Sequence, residues 1–395
     1  MFIRRPLFLS QLSNDVGGSL ARLSGLDGFA RATLVSVIPL VALKAFGSKD
    51  VIASVYFAST IFTLIFTINL AYLERLLTRR GLVTLGGLFL IVSVLLFSVG
   101  RPVLFALGIG LRSAGASMFS VCMSLYIMAY IGKKELAQNE SRRMVLVGLA
   151  WLVAPSLGGW LYAEYRPVVV YTFTGIIAAA VIGYFWWLRL GHDEVIRAGT
   201  LRAENPLKSV RRYWAQPRLR LAYLIALSRA CFWSALFVYG PIYVVEADLP
   251  VWLGGVLLSM ASGLLLLSPA VRWLADRFGT RQVLMGCSVL VGGSLLALGL
   301  LGESQPLGIL FWFVGSLGAA TMDVLSNIPF MRLVRPRERT AMTMVFTTWR
   351  ETSSLLTQAL VFLTLLVAPF WVFYLLLAAL QLATAWGTSY LPRRL

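Results

Sequence analysis

Apolar stretches long enough to cross a lipid bilayer recur along the whole chain and are separated by short polar loops. A transmembrane α-helix needs about 20 predominantly apolar residues. Only 13% of the 395 residues are charged, against roughly 25% in soluble proteins. The pattern therefore predicts an all-α integral membrane protein with 12 transmembrane helices, which we number spans 1 to 12 in chain order. They are 25–43, 51–72, 82–100, 102–130, 144–163, 167–188, 220–245, 250–271, 283–302, 306–330, 343–367 and 369–391.

Lysine and arginine are distributed unevenly between alternate loops. If the N-terminus is cytoplasmic, 28 of the 35 Lys and Arg residues fall in cytoplasmic segments and 4 in outer loops. Membrane proteins carry such an excess of positive charge in their cytoplasmic loops. The distribution predicts an even number of spans with both termini cytoplasmic, in a multi-pass protein of the plasma (inner) membrane. It also explains the net charge of +18 without a nucleic-acid partner.

The longest polar stretch lies between spans 6 and 7 and divides the spans into two sets of six. It is rich in arginine, and we expect it to be a basic linker at the cytoplasmic surface. The predicted parts are a cytoplasmic N-terminal leader (1–24), an N-terminal six-helix bundle (25–188), the cytoplasmic basic linker (189–219), a C-terminal six-helix bundle (220–391) and a cytoplasmic C-terminus (392–395).

Short sequences in the first half recur about half the chain later. Arg31-Ala32 recurs as Arg229-Ala230, and Glu74-Arg75 recurs in similar form as Asp276-Arg277. Duplicated bundles related by pseudo-symmetry are how many secondary transporters are built, with the substrate site near the middle of the membrane between the halves.

The arginines within the spans are candidate substrate-binding residues. Ionisable side chains are costly inside a membrane and usually face a cavity or a partner. A guanidinium stays charged and binds carboxylate or phosphate through two hydrogen bonds. Arg31 is one helical turn from Asp27 and can pair with it. The candidates are Arg112 in span 4, Arg229 in span 7, Arg350 in span 11 and Arg31 in span 1.

The carboxylates within the spans are candidate proton carriers. A buried carboxylate beside an arginine can change its protonation as the hydration of a cavity changes. The candidates are Asp323 in span 10, Glu351 in span 11 and Asp27 in span 1. An alternative interpretation is that Arg229 with Asp323, or Arg350 with Glu351, forms a structural ion pair.

Two motifs resemble those of the major facilitator superfamily, and the resemblance extends over essentially the whole chain. Between spans 8 and 9 the chain reads Leu274-Ala275-Asp276-Arg277-Phe278-Gly279-Thr280-Arg281, similar to the signature G-x-x-x-D-R-x-G-R-R. Arg272 and Thr280 stand where the signature has its leading glycine and a basic residue. In span 5, Pro155, Gly158 and Gly159 resemble the P-x-x-G-G end of the family's antiporter motif.

The resemblance implies a fold of two pseudo-symmetric six-helix halves, with spans 1, 4, 7 and 10 around a central cavity. The ionisable residues deep in the membrane indeed fall in spans 1, 4, 7, 10 and 11. The loop signature implies a cytoplasmic gate, in which an acid and arginines at helix ends form charge-assisted hydrogen bonds. The gate candidates are Asp276, Arg277, Gly279 and Arg281 after span 8, with Glu74 and Arg75 after span 2.

These features predict a secondary active transporter that moves a small anionic or zwitterionic organic solute by alternating access, with a proton as the expected coupling ion. One alternative is a drug or amphiphile exporter that works by proton antiport, and another is a non-transporting receptor or assembly factor. We expect no enzyme, metal site or cofactor, because one histidine and three scattered cysteines offer little for a metal and no nucleophile–base pair is evident. Solute, coupling ion and lipid bilayer are the expected partners. A single chain already contains both halves, so a monomer suffices.

Overall fold

The computed structural model is helical throughout, and no β-strand occurs among the residues that it describes. Most of the predicted leader and of the predicted linker lie outside those residues, as do the side chains of Glu74 and Arg75. The residues described are 16–130, 136–188, 206–334 and 338–392.

The first half consists of seven helices that form spans 1 to 6. Span 1 begins before residue 25 and is broken in the middle. The helices are α1 (Val16–Thr33) and α2 (Val37–Phe46) in span 1, α3 (Lys49–Ile68) in span 2, α4 (Leu70–Ser98) in span 3, α5 (Pro102–Tyr130) in span 4, α6 (Leu136–Glu164) in span 5 and α7 (Pro167–Trp187) in span 6.

The second half is preceded by a short linker helix, and three of its spans are interrupted. The helices are α8 (Pro206–Trp214) in the linker, α9 (Pro217–Glu246) in span 7, α10 (Trp252–Gly263), a 3-10 turn (Leu264–Leu267) and α11 (Ser268–Phe278) in span 8, α12 (Thr280–Leu301) in span 9, α13 (Gly308–Leu325) and α14 (Asn327–Leu333) in span 10, α15 (Arg339–Thr347) and α16 (Trp349–Val367) in span 11, and α17 (Trp371–Thr388) in span 12.

Proline explains three of the four interruptions. Pro39, Pro269 and Pro329 each lie in the first turn of the helix that follows a break. Proline has no N–H to donate and its ring clashes with the carbonyl four residues earlier, so it fits the first turn of a helix and disrupts a helix interior. The break in span 11 at Thr348 has no such proline.

Eleven helical stretches among the described residues are long and apolar enough to cross a membrane. They coincide with every predicted span except span 11, whose helix α16 carries Arg350, Glu351 and Gln358. The all-α, membrane-spanning fold class is therefore confirmed. The count of 12 and the side of the membrane on which the termini lie stay predictions.

The two halves are built from matching helix contacts. In the first half, span 1 packs on span 5, and span 3 packs on spans 4 and 6. In the second half, span 7 packs on span 11, and span 9 packs on spans 10 and 12. Between the halves, span 5 packs on span 8 and span 11 packs on span 2, which are equivalent pairs. A duplicated six-helix unit produces this arrangement.

The halves are tied together at the face where span 1 ends and span 2 begins, which we call the outer face; the opposite one is the inner face. Lys49 Nζ of span 2 lies 2.6 Å from Glu246 Oε1 of span 7. Ser304 Oγ donates to Glu246 Oε2 at 3.0 Å, and the Lys49 ammonium lies 4.0 Å from the centre of the Phe370 ring. These contacts join both halves at the outer face.

Candidate substrate-binding site between the halves

The break in span 1 frees a backbone carbonyl near the middle of the membrane-spanning region. The Val35 N–H donates to the carbonyl of Ala32 at 3.1 Å, so the Arg31 carbonyl lacks its usual helical partner. The guanidinium of Arg112, in span 4, donates to this carbonyl at 2.6 Å. Arg112 is thus held by the backbone of span 1.

The antiporter-like motif of span 5 lies against the same break. The Thr33 carbonyl is freed in the same way as that of Arg31, and a Cβ added at Gly158 would collide with this oxygen. The glycine allows its own Cα–H to approach the carbonyl, a weak but recurrent contact between helices. Ser36 Oγ donates to the Pro155 carbonyl at 3.0 Å. Spans 1 and 5 are therefore held together at the break.

The other side of the same motif joins the second half. A Cβ at Gly159 would lie 3.2 Å from the Cα of Gly255 in span 8, and a Cβ at Gly255 would collide with the Pro155 carbonyl. The Ser156 N–H donates to Ser259 Oγ at 2.9 Å. Small residues permit this close crossing of two helices. The motif thus packs span 5 on both span 1 and span 8.

Asp27 and Arg31 form the ion pair that their spacing predicts. The Asp27 side chain is 2% exposed and that of Arg31 is 25% exposed. Asp27 Oδ1 and Arg31 Nε are buried without a hydrogen-bond partner among the described residues. We call Asp27, Arg31 and Arg112 the N-half cluster; it holds two arginines and one carboxylate.

Arg229 of span 7 pairs with Asp323 of span 10, as one of the alternatives from the sequence expects. Their side chains are 6% and 22% exposed. The Trp349 ring lies between two arginines, with its centre 4.6 Å from the Arg229 guanidinium and 5.5 Å from that of Arg350. Among the described residues, no carboxylate, including that of Glu351, forms an ion pair with Arg350. We call Arg229, Asp323, Trp349 and Arg350 the C-half cluster.

Three aromatic side chains lie between the two clusters. The Trp151 ring of span 5 is 5.4 Å from the Phe237 ring of span 7, and the Trp233 ring stacks on Phe237 at 5.5 Å with an interplanar angle of 22°. The Trp151 indole nitrogen lies 3.7 Å from where a Cβ at Gly28 would be. The three rings are half-buried, so part of each ring surface is accessible.

A buried hydrogen bond joins two spans of the second half, toward the outer face. The Tyr239 hydroxyl of span 7 donates to Gln358 Oε1 of span 11 at 2.7 Å. This hydrogen bond adds to the packing of span 7 on span 11.

Comparison with known proteins identifies the family. The profile of the Major Facilitator Superfamily matches residues 21–357. The chain belongs to the major facilitator superfamily. No curated protein sequence matches it closely enough to indicate a nearer relative. The family and the fold are those of transporters, which agrees with the prediction of a multi-pass membrane transporter.

Solved structures share the superfamily fold at low sequence identity. The nucleoside transporter NupG, as the D323A mutant, is 12% identical with a TM-score of 0.76 over 94% of this chain and 98% of that chain. A POT family transporter in complex with 5-aminolevulinic acid is 13% identical, with a TM-score of 0.74 over 94% of both chains. A bacterial homologue of the iron transporter ferroportin in an inward-facing state is 17% identical, with a TM-score of 0.67 over 98% of both chains.

The superfamily signature after span 8 contacts residues of its own helix. Asp276 Oδ2 lies 4.0 Å from Arg272 Nε, with side chains that are 76% and 83% exposed. The Arg277 guanidinium lies 5.4 Å from the Trp273 ring and 5.5 Å from the Phe278 ring. Within the described ranges, the contacts of these signature side chains stay within their own helix, so the gate stays a prediction.

The turn within the signature has a counterpart in the first half. Gly279 adopts φ 85° and ψ 140° between α11 and α12, and Arg281 follows in the first turn of α12. Thr78 interrupts α4 with φ 61° and ψ 162°. Glu74 and Arg75 precede Thr78 in the same helix, as Asp276 and Arg277 precede Gly279. The two halves therefore make the same backbone turn, although the first lacks the glycine.

Some residues at the centre were not predicted. For Trp349, the sequence offered one indication, its place directly before Arg350. Away from the centre, the outer-face pair of Lys49 and Glu246 was also missed, because the two residues are far apart in the chain and no pattern connects them. Trp151 was also missed, because its contact with Phe237 depends on how span 5 crosses span 7. Within the described ranges, no group of three His, Cys, Asp or Glu side chains is placed to hold a metal ion.

Proposed function

We propose that this member of the superfamily is a secondary active transporter of a small organic solute that carries an anionic group and is anionic or zwitterionic as a whole. The observation that carries the proposal is the excess of arginine over carboxylate in the two clusters. The N-half cluster holds two arginines and one carboxylate, and Arg350 in the C-half cluster has no carboxylate in an ion pair. A guanidinium stays charged and binds a carboxylate or phosphate group through two hydrogen bonds.

The proposed anchors differ in availability. Arg112 and Arg350 are the primary anchors, because neither pairs with a carboxylate among the described residues. Arg31 and Arg229 are paired in this conformation, so either one can offer its whole guanidinium to the solute only when Asp27 or Asp323 gives up its partner. Protonation of a carboxylate removes its charge and weakens such a pair, which would couple proton binding to solute binding. Glu351, next to Arg350, is the third proposed proton carrier.

The proposed transport cycle alternates between closing the outer and the inner face. The contacts of Lys49 with Glu246 and of span 5 with span 8 hold the outer face closed. In the opposite state these contacts break, and the signature residues Asp276, Arg277, Gly279 and Arg281, with Glu74 and Arg75, close the inner face. Alternating access of this kind is rocking of two halves around a fixed site.

We further propose that the protein lies in the plasma (inner) membrane with 12 spans. Both termini, the leader (1–24) and the linker (189–219) would lie on the cytoplasmic side, and residues 25–188 and 220–391 would be the two moving bundles. The excess of positive charge in the corresponding loops supports this orientation.

Ligand-induced thermal stabilisation of the purified full chain in mild detergent tests the proposal. A ligand that binds the folded state raises its stability by mass action. The probes are 5-aminolevulinic acid as a zwitterion, benzoate as an anion, uridine as a neutral nucleoside and tetraphenylphosphonium as a lipophilic cation. The first two are chosen because a carboxylate matches a guanidinium, and a POT family transporter has been crystallised with 5-aminolevulinic acid.

We expect benzoate or 5-aminolevulinic acid to stabilise the wild type and Arg350→Gln to weaken that binding about 10-fold or more, since charge-assisted hydrogen bonds contribute roughly 1.5–3 kcal/mol. Arg166→Gln, which removes an exposed arginine at the outer face, is the matched control and should bind like the wild type. If only tetraphenylphosphonium stabilises the protein, and Arg350→Gln responds equally, the arginines are structural and the amphiphile exporter becomes the better explanation.

A further inference from the structure

The aromatic side chains between the halves have no part in the charge-based proposal. Trp151 lies beside Gly28, the residue after Asp27, and Trp233 is one helical turn from Arg229. The rings of Trp151, Trp233 and Phe237 therefore bridge the space between the N-half and C-half clusters. They come from both halves, since Trp151 belongs to span 5 and the other two belong to span 7.

One of these rings has an unmet hydrogen-bonding requirement. Trp233 Nε1 is buried and has no hydrogen-bond partner among the described residues. A buried donor without an acceptor is costly, and the indole nitrogen of a buried tryptophan usually finds a partner. Arg229 Nε, one turn away, is unpartnered in the same way. Two unpartnered donors beside accessible ring surface point to a ligand with both an acceptor and an apolar face.

We propose that Trp151, Trp233 and Phe237 form a binding face for a planar aromatic ring of the transported solute. An oxygen or ring nitrogen of the solute accepts the Trp233 indole N–H. The inference rests on the proposed function for the anionic group of the solute, and it narrows the substrate class to aromatic acids or similar ring-bearing anions. Aromatic pairs favour offset-stacked and edge-on arrangements, and the open ring surfaces allow either.

Three probes of similar size separate the ring from the charge. Benzoate is an aromatic anion, cyclohexanecarboxylate is the saturated anion of the same framework, and benzamide is the neutral aromatic. Titration of each against the thermal stability of the purified full chain gives an apparent Kd. We expect benzoate to bind about 10-fold more tightly than cyclohexanecarboxylate, because both probes make apolar contact but only the aromatic ring can stack on the aromatic side chains.

Variants then locate the ring preference. Trp151→Leu and Phe237→Leu should each abolish the preference for benzoate and leave cyclohexanecarboxylate binding unchanged. Trp233→Phe keeps a ring and removes the N–H, and it should weaken benzoate binding by a smaller factor than Trp151→Leu does. Trp386→Leu, at a tryptophan that is 69% exposed, is the matched control and should behave like the wild type.

The outcomes separate this inference from the proposed function. Equal affinity of the wild type for benzoate and cyclohexanecarboxylate would overturn the aromatic face and leave the anion proposal standing. Binding of benzamide as tight as that of benzoate, lost in Trp151→Leu, would support the aromatic face and overturn the anion proposal. Because the first comparison uses only the wild type, it decides the inference even if a variant fails to fold.

Discussion

The two halves hold the arginines of their spans in different ways. In the N-half cluster, Arg31 pairs with Asp27 of its own helix, and Arg112 bonds to a backbone carbonyl. In the C-half cluster, Arg229 pairs with Asp323 of another helix. A pair within one helix leaves the distance between helices unchanged when it breaks. A pair between spans 7 and 10 holds two helices together, and its loss allows them to separate.

The difference suggests that the two halves have different roles in transport. The N-half cluster is braced by the break in span 1, where Arg112, Ser36 and Gly158 converge. The C-half cluster has an exposed arginine, Arg350, and an interhelical ion pair that is 22% exposed on its acidic side. We therefore expect the N half to provide a rigid anchor and the C half to respond to solute and protons.

The largest effect is expected from the interhelical ion pair. Asp323→Asn leaves Arg229 buried without its charged partner, which costs about 3–5 kcal/mol of stability for a buried pair. Asp27→Asn, the matched change in the other half, should cost less, because Arg31 is 25% exposed and can be hydrated. Unfolding of both variants by increasing SDS in mixed micelles measures the difference. A larger loss of stability for Asp27→Asn than for Asp323→Asn would contradict these different roles of the halves.

A double variant separates the structural from the transport role of the same pair. Replacing both charges, as Arg229→Met with Asp323→Leu, should restore much of the stability lost in Asp323→Asn, because no uncompensated charge stays buried. We expect proton-driven uptake of the solute into proteoliposomes to stay abolished in this stable variant. Recovery of uptake together with stability would show that the pair is structural only.

Gly158 is the position at which a substitution should disrupt the close contact between spans 1 and 5. In Gly158→Ala the new methyl group collides with the Thr33 carbonyl, which is backbone and cannot rotate away. Overpacking costs about 1–3 kcal/mol, and we expect the upper end here. Gly183→Ala in span 6 is the control, since nothing lies within 4 Å of its Cβ position and alanine favours a helix. Thermal unfolding in detergent compares the two, and equal stability would disprove the close contact.

Arg112 and Arg350, which form no ion pair with a described carboxylate, allow a further comparison of the halves. Arg112→Gln should reduce stability by about 2 kcal/mol, because its charged hydrogen bond to the Arg31 carbonyl is lost. Arg350→Gln should change stability by only about 0.5 kcal/mol, since the side-chain contact of this exposed arginine among the described residues is with the Trp349 ring. Both variants should lose affinity for the solute. If thermal unfolding shows that both variants lose the same stability, the hydrogen bond of Arg112 to span 1 contributes no more than the contact of Arg350 with Trp349.

Much of the fold was predictable because membranes impose simple rules. The apolar lengths predicted the spans, and a motif spacing such as that of Asp276 and Arg277 predicted the family. The pairing of Asp27 with Arg31 was also predictable, because helical periodicity places residues four apart on one face.

The centre of the site was only partly predictable. Which of the possible partners Arg229 takes depends on the relative rotation of spans 7, 10 and 11, and periodicity within one helix does not determine that rotation. The hydrogen bond from Arg112 to the Arg31 carbonyl requires the break in span 1. The sequence shows the cause of this break, Pro39, but it does not show which side chain binds the freed carbonyl. The aromatic contact of Trp151 with Phe237 depends on packing between the halves.

The paired turns at Thr78 and Gly279 should respond to substitution in opposite directions. Thr78 has φ 61° and ψ 162°, a region that suits glycine and strains a β-branched residue, whereas the corresponding turn of the second half has Gly279. Thr78→Gly should therefore stabilise the protein by about 1 kcal/mol, after the entropy that glycine costs. Gly279→Thr should destabilise it by about 1–3 kcal/mol. Opposite shifts in apparent Tm would show that the halves share one turn geometry, and shifts of the same sign would refute it.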